Sequence, residues 1–244
     1  MADWRMGNST HLDRLLPLAR QLLILPIGER QRELWLWEHS ERVMQLTQLL
    51  ADLPELAGQA PDHLALATAA LFHDAGWALE FHQGRIDRWQ LLSRPTNEIQ
   101  RELGAAMLLE EAANLLPGPN ARLAADAIRH CNDRRTTLLE AQILAEAENL
   151  DELSVVYVLR QYRQYQAENR ALAQLVDTWR RQQEYRYWEV RLNEGFRWET
   201  TRALARQRLA AVEAFMQALE RDLRGADLQA VARPTSAASM STPG

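Results

Sequence analysis

A histidine and an aspartate stand side by side at His73-Asp74, the polar end of the run Ala69-Ala70-Leu71-Phe72-His73-Asp74-Ala75-Gly76. The alanine-rich stretch before them reads as a buried helix, and polar groups carried into such a place must be satisfied. A divalent metal ion satisfies an imidazole and a carboxylate together. An adjacent His-Asp pair alone is common, but here it has partners on both sides in the chain. His39 lies upstream within Trp37-Glu38-His39-Ser40-Glu41-Arg42-Val43; His130 lies downstream, followed by the acidic cluster Glu146, Glu148 and Asp151. Imidazole and carboxylate donors together suit a divalent ion and the hydrolytic chemistry such an ion supports.

Helices must position these groups. Apolar residues recur at three- and four-residue spacing from about residue 10 to 223, Gly is scarce, and alternating strand patterns are missing, so the expected fold is all-α. The first helix is expected over about Leu12 to Leu25, ended by Pro26 and Gly28. The second, about Glu29 to Leu53, carries His39. Pro61-Asp62 opens a third that ends at His73-Asp74. Residues 77 to 97, with Gly84 and Pro95, read as an irregular stretch of the length that is often functional. Thr96-Asn97 caps a helix to about Leu116, Asn120 caps one ending at His130, and Leu138 to Leu153 carries the acidic cluster.

From Ser154 the chain reads as long Arg- and Gln-rich helices with an aromatic stripe that includes Tyr157, Tyr165, Trp179, Tyr185 and Trp188. A break near Asn193-Glu194-Gly195 precedes a final helix from Thr200 to Leu223. The expected organisation is an N-terminal helical segment (1–28), a helical domain with its C-terminal helices (29–222) and a disordered tail (223–244).

Composition narrows the function. The 244-residue chain is 47% apolar with a net charge of −5, so it shows no general affinity for nucleic acid or anionic membrane. All 28 basic residues are Arg, which excludes a Schiff-base Lys, a phosphate-loop Lys and a kinase Lys. The single Cys131 makes no internal disulfide or multi-Cys zinc site and suits a reducing cytoplasm. No secretory leader and no apolar run of roughly 18–20 residues is evident, so no membrane span is expected.

The ordered set His39, His73-Asp74 and a later acidic residue resembles the HD superfamily of metal-dependent phosphohydrolases, whose motif is a His, a His-Asp pair and a later Asp. Ala125-Asp126-Ala127-Ile128-Arg129-His130 looks like the family's Ile-x-x-His helix. Leu139-Glu140-Ala141-Gln142-Ile143-Leu144 resembles the lead-in to the last ligand. Glu199-Thr200-Thr201-Arg202-Ala203-Leu204-Ala205, with Arg208 and Phe215, looks like a closing helix of small bacterial members. The resemblance covers roughly residues 30 to 222 and implies an HD-domain-like helical bundle.

Two departures stand out. Where members commonly read Asp-Ala-Asp-x-Leu-Asp, this chain reads Glu146-Ala147-Glu148-Asn149-Leu150-Asp151, so Glu148 takes the place of the last metal-binding Asp. The extra methylene moves its carboxylate, and Asp151, one turn on, is the alternative ligand. Gln100 stands where dinuclear members often have His, which argues for one metal.

The resemblance implies a small phosphate ester as substrate, such as a nucleotide or related metabolite, and one divalent ion (Mn, Fe, Co, Ni or Zn) held by His39, His73, Asp74 and Glu148. Asp74 also orients the attacking water, and His130 touches the phosphate or protonates the leaving oxygen. Arg134, Arg135, Arg85, Arg88 and Arg94 are candidate phosphate clamps. His82, His11 and His63 read as ordinary loop, structural or solvated residues, and Cys131 as a small buried one. Glu148 also supports an alternative: a degenerate HD domain that keeps the fold as a ligand sensor or scaffold. The C-terminal helices offer a surface for homo-oligomerisation under either reading.

Overall fold

The computed structural model describes residues 3–93, 96–225 and 228. Arg94, and the expected tail from 226 on apart from Leu228, lie outside the described residues. Helix α1 (Asp3–Leu23) leads into a short antiparallel pair, β1 (Leu25–Pro26) with β2 (Arg32–Glu33), Leu25 opposite Glu33. This corrects the expected helix start at Glu29. Pro26 and Gly28 turn the chain, and α2 (Trp35–Leu50) begins only where a Glu33 carboxylate oxygen accepts the Trp35 N–H at 3.1 Å.

Helix α3 (His63–Phe72) opens with the Asp62 side chain accepting the Ala65 N–H, and every residue from Leu64 to Phe72 is buried. A helix apolar on all faces must run through the centre of a core. It packs against α2, α7 (Gly118–His130) and α8 (Leu139–Glu152). Phe72, Leu66 and Leu71 are fully buried, each worth about 1.5–3 kcal/mol of apolar burial.

The chain breaks at His73-Asp74 and at once resumes as α4 (Ala75–His82); α5 (Arg88–Ser93) follows. Residues 77–97 therefore hold two short helices rather than the irregular stretch expected. Their punctuation comes from Gly84, which takes a φ of +68° that a side chain would strain. Helix α6 (Glu98–Glu111) is capped by Asn97, and it crosses α4 so closely that a Cβ on Gly76 would lie 2.2 Å from the Gln100 carbonyl oxygen. Gly104 makes the reciprocal approach to the Phe72 carbonyl. Two glycines thus bring α6 against the His-Asp junction. Helix α7 starts at Gly118 after Pro117, so Asn120 does not cap it; its side-chain amide instead donates to the Asp62 carboxylate.

The C-terminal stretch is α9 (Val155–Ala167), α10 (Leu172–Glu184), α11 (Tyr187–Glu194) and α12 (Glu199–Arg224). Trp179 and Trp188 pack on each other at 5.3 Å between ring centres, whereas Tyr185 is exposed, so the aromatic stripe is only partly core. Helix α12 ties back to α8: the buried Glu146 accepts the Arg197 N–H and the Thr201 hydroxyl, and Arg208 donates to the Leu150 carbonyl. Among the described residues no helix is long and apolar enough to cross a membrane.

Candidate metal centre

Three elements meet at one point. Helix α2 presents His39, and the α3–α4 junction presents His73 and Asp74. One donor atom from each of the three lies within 4.8 Å of the others, and all three residues are buried. The His39 and His73 Nε2 atoms are 3.2 Å apart, and each is 3.6 Å from Asp74 Oδ2.

The far side of each ring determines what these nitrogens carry. His73 Nδ1 lies 2.7 Å from the Ala70 carbonyl oxygen, and His39 Nδ1 lies 2.7 Å from Asp151 Oδ2. Both partners only accept, so each Nδ1 bears the proton. With both rings neutral, two Nε2 lone pairs face each other in a buried pocket beside a carboxylate. Such an arrangement repels itself unless a cation sits among the donors. Donors about 2.0–2.2 Å from one shared ion stand about as far apart as these do. Burial disfavours a charged His73, yet Asp74 and Glu148 together still push its pKa up. A proton would satisfy one nitrogen; a divalent ion serves both imidazoles and the carboxylate, so the donor set fits a metal.

Asp74 is itself held. Thr96 donates to its Oδ1 at 3.0 Å, and the Trp77 indole N–H donates to the Thr96 hydroxyl at 2.9 Å. Burial opposes ionisation of Asp74, but His73, Arg101 and His39 outweigh it and lower the carboxyl's pKa.

The acidic cluster divides into three roles. Glu146 is the strut to α12, its pKa raised by burial. Glu148 stands beside the three-donor group, with Oε1 3.1 Å from His73 Nε2 and 2.6 Å from Arg101 Nη2. Asp151 turns to the other side of His39 and also receives Arg42 through Nε at 2.7 Å and Nη2 at 3.0 Å. Burial opposes its charge, but the hydrogen bonds from His39 and Arg42 hold its carboxyl well below the usual carboxylate range. Asp151 therefore orients a donor and fixes its tautomer. Carboxylates in that place typically carry 10–100-fold in metal affinity. Asp151→Asn is expected to weaken metal binding by about that factor while leaving the metal-to-protein ratio at saturation unchanged, read by competition with a chelating dye.

Arg101 is the residue that sequence reasoning missed. It is 4% exposed; Nη1 donates to the His73 carbonyl at 3.3 Å and lies 3.7 Å from Asp74, while Nη2 grips Glu148. A signal was present: Arg101 shares the buried stripe of α6 with Gly104, Ala105 and Leu108, where a charge needs a reason. Gln100, by contrast, completes the α6 cap and donates to Glu80 at 2.9 Å.

The other candidates lie elsewhere. His130 is exposed at the end of α7, its Nδ1 2.8 Å from the Asp126 carbonyl oxygen, and is not brought into the cluster. Cys131, next to it, is buried, and burial pushes its thiol up to about 12 despite Arg101. Arg85 and Arg135 are exposed, and the Arg88 guanidinium sits 3.9 Å over the Trp89 ring. Arg134 lines a cavity of about 350 Å³ that also takes in Glu148 and Thr96, the two residues it shares with the metal centre's surroundings.

Residues 36–153, the span holding all three donors with Glu148 and Asp151, match the family model for the HD domain. The protein carries an HD domain. The fold agrees: a predicted HD superfamily hydrolase from an uncultured Thermotogales bacterium superposes with a TM-score of 0.54 at 21% identity, covering 87% of this chain and 93% of that one. No curated protein matches the chain. HD domains bind divalent metals, and His39, His73 and Asp74 could hold one in this HD domain. The domain supports a metal-dependent phosphohydrolase in general terms.

Proposed function

We propose that this HD domain hydrolyses a small phosphate ester with the help of one divalent ion held by His39, His73 and Asp74, with Glu148 at its side. The observation that carries the reading is the pair of buried imidazole Nε2 atoms 3.2 Å apart beside Asp74. A bound divalent ion supplies Lewis acidity toward a phosphoryl oxygen and toward water.

The chain's own groups divide the remaining tasks. Asp74, its Oδ1 pinned by Thr96, keeps Oδ2 turned to the donor group and is placed to take a proton from water. Asp151 and Ala70 hold the Nδ1 side of the two imidazoles and keep both Nε2 atoms aimed at the donor group. Arg101 keeps Glu148 ionised and in place. The substrate enters through the cavity beside Glu148. His130 lies outside this arrangement.

The Arg101 grip on Glu148 is the one observation that favours the sensor reading, since a carboxylate neutralised by a guanidinium is a weaker metal donor. The test is metal content of tag-free protein together with phosphate release from a panel of phosphate esters, before and after chelation. The hydrolase reading expects about one transition metal per chain and release that chelation stops and reloading restores. Bound metal with no release across the panel favours the sensor; no metal after loading with Mn, Co, Ni or Zn overturns the hydrolase reading and leaves the sensor standing.

A further inference from the structure

The cavity beside Glu148 has walls that narrow what enters it. Arg134 follows the end of α7, Asn149 comes from α8, Arg191 from α11 and Arg197 from the turn before α12. Arg191 is tied down, with Nη2 2.6 Å from Glu152 and 3.2 Å from the Asn149 amide oxygen, so it shapes the wall. Arg197 differs. Its Nη2 donates at 3.3–3.4 Å to the Asp133 and Arg134 carbonyls, and no carboxylate among the described residues forms an ion pair with its guanidinium. Arg134 pairs with Glu194 at 3.0 Å, but both side chains are more than half exposed, and solvent leaves such a pair weak and easily exchanged. Two guanidinium groups joined through the Arg134 backbone are therefore available to an anion.

The walls also lack something. Ala145 and Val190 are the aliphatic side chains among the lining residues, and no aromatic ring lines the cavity among the described residues, so these walls offer a nucleobase no stacking surface. At about 350 Å³ the space falls at the low end of small-molecule pockets, which run from about 300 to 1,000 Å³.

We infer that the cavity takes a compact, non-aromatic phosphate ester carrying a second anionic group, of the sugar-bisphosphate kind, with that second group clamped by Arg134 and Arg197. This rests on the hydrolase reading for the fate of the first phosphate. The clamp itself is a statement about binding. Guanidinium forks suit phosphate and carboxylate by paired, charge-assisted hydrogen bonds.

Titration calorimetry on the full chain, with fructose bisphosphate, fructose monophosphate and adenosine monophosphate as probes, tests it. The bisphosphate is expected to bind at least about tenfold more tightly than either monophosphate, as its second group gains charge-assisted hydrogen bonds that a monophosphate lacks. Arg134→Ala and Arg197→Gln should each weaken bisphosphate binding and remove most of its margin over fructose monophosphate. Arg134 is exposed, so its variant folds; the Arg197 backbone contact to Glu146 survives the second substitution. Equal binding of bisphosphate and monophosphate (no binding of either included) overturns the inference. So does a preference that survives both substitutions, or adenosine monophosphate binding as tightly as the bisphosphate. An intact preference without phosphate release removes the hydrolase reading and leaves the clamp standing.

Discussion

Asp74→Ala is expected to strip the metal and reduce phosphate release by at least about a thousandfold, since a metal's charge stabilisation of a phosphoryl transition state is worth several kcal/mol and each 1.36 kcal/mol is tenfold. Asp74 supplies the one carboxylate of the three-donor group and meets both imidazole nitrogens at 3.6 Å. Without it two neutral rings remain, a poor match for a hard ion that must hold a phosphate. Glu148, 3.1 Å from His73 Nε2, is a nearby replacement, and Arg101 engages its Oε1 at 2.6 Å. Metal analysis of the purified variant, with circular dichroism to show that it is folded, checks this. Metal retained at the wild-type level in Asp74→Ala would transfer the carboxylate role to Glu148 and undo the assignment.

Arg101→Met is expected to destabilise the metal-free protein by about 3–5 kcal/mol, because it leaves the buried Glu148 charge without its cation. At about 2–4 °C per kcal/mol for a chain of this size, the melting temperature should fall by roughly 10 °C. The pair is almost wholly enclosed, with Arg101 and Glu148 side chains only 5% and 14% exposed. Adding Glu148→Gln to Arg101→Met should recover much of the loss, since a neutral amide costs less to bury unpaired than a carboxylate. Metal loading should also rescue the single variant in part, as an ion among His39, His73 and Asp74 places positive charge close to Glu148. A loss of about 1 kcal/mol or less, the value of a surface pair, would show that Glu148 is not the buried, dependent charge described here.

The residues that make the centre were legible as types and order. A fully apolar run ending in His73-Asp74 could only be a buried helix delivering two polar groups to the core, and α3 is that helix. His39, mid-helix, could face either solvent or a polar pocket, and in α2 it is buried. Local punctuation was harder to read. The β1–β2 turn and the short helices α4 and α5 hide in segments whose Pro and Gly content suggests only irregularity. A helix of eight residues shows barely two turns of periodicity, too little to distinguish from a loop.

What the sequence alone determined was the all-α character, the candidate donor types with their order and the partition into buried and exposed faces, because helical spacing dictates which residues share a side. What only the tertiary structure decided was which carboxylate meets which imidazole. Glu148 and Asp151 lie one turn apart on α8 and look interchangeable, yet one is drawn to Arg101 across 47 residues of chain and the other to His39 across 112. Those partners depend on how α2, α6 and α8 cross, and Gly76 and Gly104 set the approach of α6. Periodicity places a residue on a face of its own helix; the neighbour that face meets is a property of packing between helices far apart in the chain.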